Sequence, residues 1–280
     1  ASLALHGQQP SPPASSPGDE KLLAVMHSIS SHTLLDYVRE MVAPVYKGRL
    51  TGTPEFDAIG DWAAKRLMAW KIKPAGDQGT YLQRFPNPYT LVLPGGELSL
   101  DIATGGATIR RPYVLEEEYF PGSTSDTTSI TAPVVYVGYG ITAPELGYDD
   151  YAGVDVKGKI VLMEPEVPVA PDRGLEQFRK WRPYSFHDYK ARNAAQHGAA
   201  GILYDYHIVN PNNVFIKGLG FTAVGRTFVT DVFAGTGRSH EDVVKSIRAS
   251  LKPASFETGR TVTMKNVTEQ HSGGIGSNVV

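Results

Sequence analysis

Cysteine is absent from the 280 residues. That absence excludes disulfides, thiolate metal sites and cysteine nucleophiles, so any metal held here would need histidine and carboxylate ligands. Neither sign of charge is in excess, with 27 Lys and Arg against 29 Asp and Glu, and nothing in that balance forms a basic footprint for nucleic acid. Apolar runs are short. None approaches the roughly 18 residues of a membrane-spanning helix, and no repeat of about 20 to 50 residues is visible. The common catalytic signatures are missing too. None of the eight histidines stands in a His-Glu-x-x-His or His-x-Asp-His pattern, and there is no Gly-x-Ser-x-Gly elbow. Val137-Gly-Tyr-Gly140 lacks the third glycine of a dinucleotide fingerprint and leads into an acidic, Tyr-rich loop.

What is present is strand and helix patterning. Val134 to Val137, Ile160 to Met163 and Gly201 to Tyr206 are aliphatic or β-branched runs bounded by Gly, Pro and Asp, the texture of buried strands. Gly138 and Gly140 are placed to turn the chain where a Cβ would clash, and Gly158 marks a tight turn before the second strand. Leu91 to Leu93, Leu98 to Ile102 and Val114 are further candidate strands, and Thr261 to Val267 a closing one. Helices are predicted over 19–30, 31–43 and 54–71, the last with Thr53 as N-cap and Pro54 at its first position. Two more cover Ser185 to His197, with Ser185 as N-cap and Gly198 as stop, and Ser239 to Lys252, with Ser239, beside His240, as N-cap. Residues 165 to 184 read as an irregular excursion, as do 211 to 225. The first 18 residues hold four prolines and four serines and cannot bury enough surface to fold. They suit either a tether behind the remnant of an export signal, which would make the protein periplasmic or extracellular, or a disordered end or cloning remnant.

Three stretches carry a family resemblance: Val-Tyr-Val-Gly-Tyr-Gly140, Tyr148-Asp-Asp-Tyr-Ala-Gly-Val-Asp-Val-Lys-Gly-Lys-Ile-Val-Leu162, and Lys190-Ala-Arg-Asn-Ala-Ala-Gln-His-Gly-Ala-Ala-Gly-Ile-Leu203. In that order and spacing they resemble the protease-associated domain inserted in zinc-dependent aminopeptidases and their carboxypeptidase relatives. Gly48-Arg-Leu-Thr-Gly-Thr-Pro54, an amphipathic helix, and Lys73-Pro-Ala-Gly-Asp-Gln-Gly-Thr-Tyr-Leu-Gln-Arg-Phe85 resemble the segment preceding the catalytic core of the same enzymes.

The resemblance implies an α+β chain. A Pro/Ser tether at 1–18 precedes helices of a zinc-peptidase domain at 19–85. A protease-associated sandwich or barrel with flanking helices follows at 86–265, and 266–280 returns toward a catalytic core. In the family that core carries two zinc ions on His-x-Asp, Glu-Glu, a further carboxylate and a last His. Those ligands are expected beyond Ser277-Asn-Val-Val280, so no zinc or other cofactor is expected within this chain. The parent protein would remove single residues from peptides, and the missing catalytic segment would be a partner. The loop after the Gly-Ala-Ala-Gly strand supplies Tyr206, His207 and Asn210, with Arg49, as candidate substrate-rim residues, each also readable as part of a structural loop. Two other readings stay open: a stand-alone peptide- or partner-binding module, and a carbohydrate-binding β-domain suggested by Tyr and Trp content.

Overall fold

The computed structural model describes residues 17–104, 106–122, 124–205 and 215–280. Candidate residues Tyr206, His207 and Asn210 lie outside the described residues, as does the tether up to residue 16. The chain forms two compact units, one running to Arg84 and including Ser277–Val280, the other Phe85–Gly276.

In the first unit, helices α1 (Pro17–His27), α2 (Ser31–Met41) and α3 (Pro54–Ala69) follow one another. The α3 start follows its sequence signals. The Thr53 side chain accepts from the N–H of Phe56, and Pro54, which has no N–H to satisfy, opens the helix. Helix α2 meets α3 through aromatic edges, Tyr37 against Trp62 and Trp70 at 5.9 and 6.0 Å between ring centres. Gly60 leaves α3 open to Leu82 and Val279, which belong to strands β1 (Leu82–Pro86) and β14 (Ile275–Val279); these two strands pair with each other. Few side chains in this unit are covered: α2 has no buried residue, and Leu22, Val25 and Met26 of α1, with Ile29 just beyond it, are exposed.

The second unit is built on one curled, mixed sheet. Its strands are β3 (Glu97–Thr104), β4 (Ala107–Pro112), β5 (Tyr119–Pro121), β6 (Thr128–Tyr136), β9 (Ile160–Met163), β10 (Gly201–Tyr204), β11 (Gly220–Val224) and β12 (Phe256–Asn266), in the order β4-β3-β12-β6-β9-β10-β11-β5. Short pairs lie beside it: β2 (Tyr89–Val92) with β13 (Thr268–His271), and β7 (Thr142–Ala143) with β8 (Tyr148–Asp149). The central strands β6, β9, β10 and β11 run parallel. Parallel strands are normally covered on both faces, which is why β9 reads as an unbroken apolar run.

Period-two alternation divides the core accordingly. Val134, Tyr136, Ile160, Leu162 and Leu203 point to one face. There they pack with Phe228 and Val232 of α6 (Arg226–Phe233) and Ile247 of α7 (His240–Ser250). Val135, Val161, Met163, Ile202 and Tyr204 point to the other, against Ala191 and Ala194 of α5 (His187–Gln196). Helices on both sides of a curled sheet make this an α+β chain.

Several local expectations are corrected. Ser185 does not cap α5; the cap position is Phe186, and the Ser185 hydroxyl turns back to donate to the Arg182 carbonyl in a 3-10 turn. The stretch 165–184 contains a short helix, α4 (Leu175–Trp181), anchored by Trp181 edge-on to Tyr148. Val114 lies past the end of β4, and β12 begins at Phe256 because it absorbs a bulge between Glu257 and Thr261. Gly259 takes φ +68 in that bulge, and the buried Thr258 hydroxyl donates to the Val134 carbonyl at 2.7 Å, an acceptor the broken ladder would otherwise orphan. Thr258→Val removes this donor at nearly constant volume. It is expected to cost about 1–3 kcal/mol, read as a lower urea midpoint with unchanged slope.

Candidate functional site

The polar groups of the second unit gather where the parallel strands end. β9 and β10 pair Met163 with Tyr204, so the residues that follow, Glu164 and Asp205, leave adjacent strands side by side, a strand spacing of about 5 Å apart. Backbone bonds fix both. The Glu164 N–H donates to Gly138 O at 2.8 Å and the Asp205 N–H to Met163 O at 3.1 Å. His240 arrives from the opposite side as the first residue of α7, whose start is fixed by the Ser239 hydroxyl accepting from the Asp242 N–H.

Glu164 is the buried member. Its Oε1 accepts from the Tyr136 hydroxyl at 3.0 Å and lies 2.7 Å from His240 Nε2. Asp205 Oδ2 is 3.8 Å from the same nitrogen. The Glu164, Asp205 and His240 ligand-type atoms all lie within 4.8 Å of one another. Burial alone would push the His240 imidazole down, but the hydrogen bond and charge of Glu164 outweigh it and hold it above its usual range. Burial, with the Glu164 charge behind it, pushes Asp205 up to about 6.

A second buried charge group lies behind this one. Asp150 has no exposed surface. It accepts the N–H groups of Tyr139 and Ile141 at 3.0 and 3.1 Å and the Tyr148 hydroxyl at 2.8 Å. The turn it holds needs glycine at 138, where φ is +50 and a Cβ would stand 2.5 Å from Asp150 Oδ1. Lys190, fully buried on α5, donates to the Glu164 carbonyl at 2.8 Å. Its ammonium also lies 5.5 and 5.9 Å from the ring centres of Tyr139 and Tyr204. Burial raises the Asp150 carboxyl and lowers the Lys190 ammonium, and the charge of each restrains the shift of the other.

Arg49, in the first unit, takes φ +57 in the turn after Tyr46, to whose carbonyl its N–H donates at 2.7 Å. It is Lys47, not Arg49, that pairs with a carboxylate, reaching Glu55 at 2.8 Å. Among the described residues the half-buried Arg49 guanidinium has no hydrogen-bond or ion-pair partner.

Sequence reasoning missed the trio Glu164, Asp205 and His240. The available signal was an acid immediately after each of two four-residue apolar runs, Ile-Val-Leu-Met-Glu164 and Gly-Ile-Leu-Tyr-Asp205. Extending the third strand to Tyr206 hid the second, and His240 passed as a neighbour of the Ser239 cap.

Residues 130–220 match the family model of the PA domain. The matched segment runs from within β6 to the start of β11 and contains Asp150, Glu164, Lys190 and Asp205, but not His240. No curated protein matches the chain. Among solved structures, the chain is similar to an aminopeptidase from Aneurinibacillus sp. strain AM-1, at 18% identity and a TM-score of 0.47. That likeness covers 85% of this chain and 43% of the aminopeptidase, so the chain spans less than half the length of that protein.

Proposed function

We propose that this chain is the PA-bearing portion of an exported zinc exopeptidase, an aminopeptidase in preference to a carboxypeptidase, whose PA domain borders the substrate cleft. The observation that carries the reading is the PA match over residues 130–220, in a chain whose residues 48–54 and 73–85 resemble the approach to the catalytic core of such enzymes. No described helix is long and apolar enough to cross a membrane.

The residues here do not fit the two-zinc centre that the resemblance implies. Among the described residues only one group of three metal-type ligands converges, too few for two bridged ions. No catalytic step is assigned to this chain. Its part in the reaction is recognition. The unpartnered Arg49 guanidinium suits a peptide carbonyl or carboxylate, and Tyr206, His207 and Asn210 offer a ring, an imidazole and an amide for a peptide backbone.

The test is hydrolysis of aminoacyl 4-nitroanilides by the parent polypeptide, with Arg49→Ala and His207→Ala beside it. Each variant is expected to lower kcat/KM about tenfold with Tm unchanged. A parent polypeptide that hydrolyses neither aminoacyl nor C-terminal peptide substrates, yet binds peptides, would replace this reading with a non-catalytic binding module.

A further inference from the structure

We propose that Glu164, Asp205 and His240 form a binding site for one divalent transition-metal ion of the zinc or manganese type, tying the ends of β9 and β10 to the start of α7. No linear ligand pattern announces this site, because its members come from three elements far apart in sequence. The fold itself brings their ligand atoms within 4.8 Å of one another.

The geometry admits an ion in place of the His240–Glu164 ion pair. Bonds of about 2.0–2.1 Å to a tetrahedral ion place the ligand atoms about 3.4 Å apart. The observed separations from His240 Nε2, 2.7 Å to Glu164 Oε1 and 3.8 Å to Asp205 Oδ2, straddle that value. An ion would require the two part-exposed side chains, Asp205 and His240, to rotate until the separations match. The ligand set selects the ion: one imidazole and two carboxylates suit zinc or manganese, whereas calcium and magnesium take all-oxygen shells.

The surroundings fit a prepared site. The Tyr136 hydroxyl orients the Glu164 carboxylate, and Lys190 anchors the same residue through its carbonyl, the outer contacts that metal ligands usually have. One charge is left over. His240 satisfies Glu164, but among the described residues the Asp205 carboxylate accepts no side-chain or backbone hydrogen bond, and its nearest charged partner is the imidazole at 3.8 Å. Arg226 lies near enough to pull the Asp205 pKa down without bonding to it. A divalent cation would neutralise both carboxylates at once. Side-chain exposure is 8% for Glu164, 22% for Asp205 and 28% for His240, so the site is closed behind and open in front, where an ion can enter and keep a water ligand.

The test is equilibrium dialysis of the tag-free chain against zinc chloride and, separately, manganese chloride. Wild type is compared with Asp205→Asn, His240→Gln and the control His271→Gln, whose imidazole pairs with Glu269 elsewhere in the same unit. About one equivalent should bind to wild type and to the control, with a rise in Tm, and Asp205→Asn and His240→Gln should each weaken binding at least about tenfold. Because a variant can lose binding by folding less well, the wild type also carries a direct readout. In nitrogen-15 spectra of its histidine rings, zinc should move His240 to a neutral, Nε2-bound form. No bound equivalent, equal binding by both site variants, or an unmoved His240 signal would overturn the site.

Discussion

Asp150→Ala is expected to cost about 3–5 kcal/mol, enough to take most of the stability from a domain whose total is on the order of 5–15 kcal/mol. The reason is the company the carboxylate keeps. Two backbone N–H groups and the Tyr148 hydroxyl end on it in a place with no solvent. Truncation leaves all three donors buried without an acceptor, at about 1–3 kcal/mol each before relaxation. It also removes the negative charge that restrains the lowered pKa of Lys190. Asp150→Asn separates these effects. Its side-chain oxygen can still accept from Tyr139 and Ile141, and the Tyr148 hydroxyl can turn to accept from the amide, so Asn should recover at least half of the Ala loss if hydrogen bonding dominates. Urea unfolding measures both variants. An Ala variant within about 1 kcal/mol of wild type would show that the turn at Gly138–Ile141 does not depend on this carboxylate.

Amide exchange should differ by about a thousandfold or more between the two units of the 280-residue chain. In α1 and α2 the apolar side chains that ought to hold the helices down are open to water: Leu22 is 59% exposed, Val25 62% and Leu34 53%. Helices of 11 residues are marginal without packing, so their amides should exchange through local opening costing about 0–2 kcal/mol. The amides of β6, β9 and β10 sit between two covered faces and should exchange only through opening close to global unfolding. Every 1.4 kcal/mol of difference is about a factor of ten. Equal protection in α1, α2 and the central strands would mean that the helices are held by contacts their exposure does not reveal.

The parts of the fold that sequence disclosed are those with a local cause. Thr53-Pro54 and Ser239 cap the helices they were expected to cap, because a cap bond spans three residues. The apolar runs of β6, β9 and β10 are strands because nothing but a doubly covered sheet accommodates them. What stayed hidden depends on distant partners. Helix α6 shows its periodicity in Phe228, Val229, Val232 and Phe233, but at eight residues between glycines at 225 and 235 it is too short to declare itself before the sheet face it covers is known. The bulge at Gly259 disguises the first half of β12 as a turn. Ser185 had all the features of a cap, and Pro183 two residues earlier drew it into a 3-10 turn instead. The trio at the strand ends is the extreme case: its existence follows from the parallel register of β9 and β10, and register is not written in either strand alone.

The central place of β12 has a consequence for how this unit comes into being during translation. β12 pairs with β3 on one side and β6 on the other, yet it is the last strand of the large sheet to leave the ribosome. Until it arrives, the β3–β4 ribbon and the β6–β9–β10–β11 block are separate nascent pieces, each with a bare edge facing the slot. Unpaired edges of that kind invite pairing with other chains, and their closure waits on contacts of very long sequence separation, a slow class of folding step. The interval between the emergence of Tyr136 and that of Asn266 is therefore the period in which the facing edges of β3 and β6 stand unpaired.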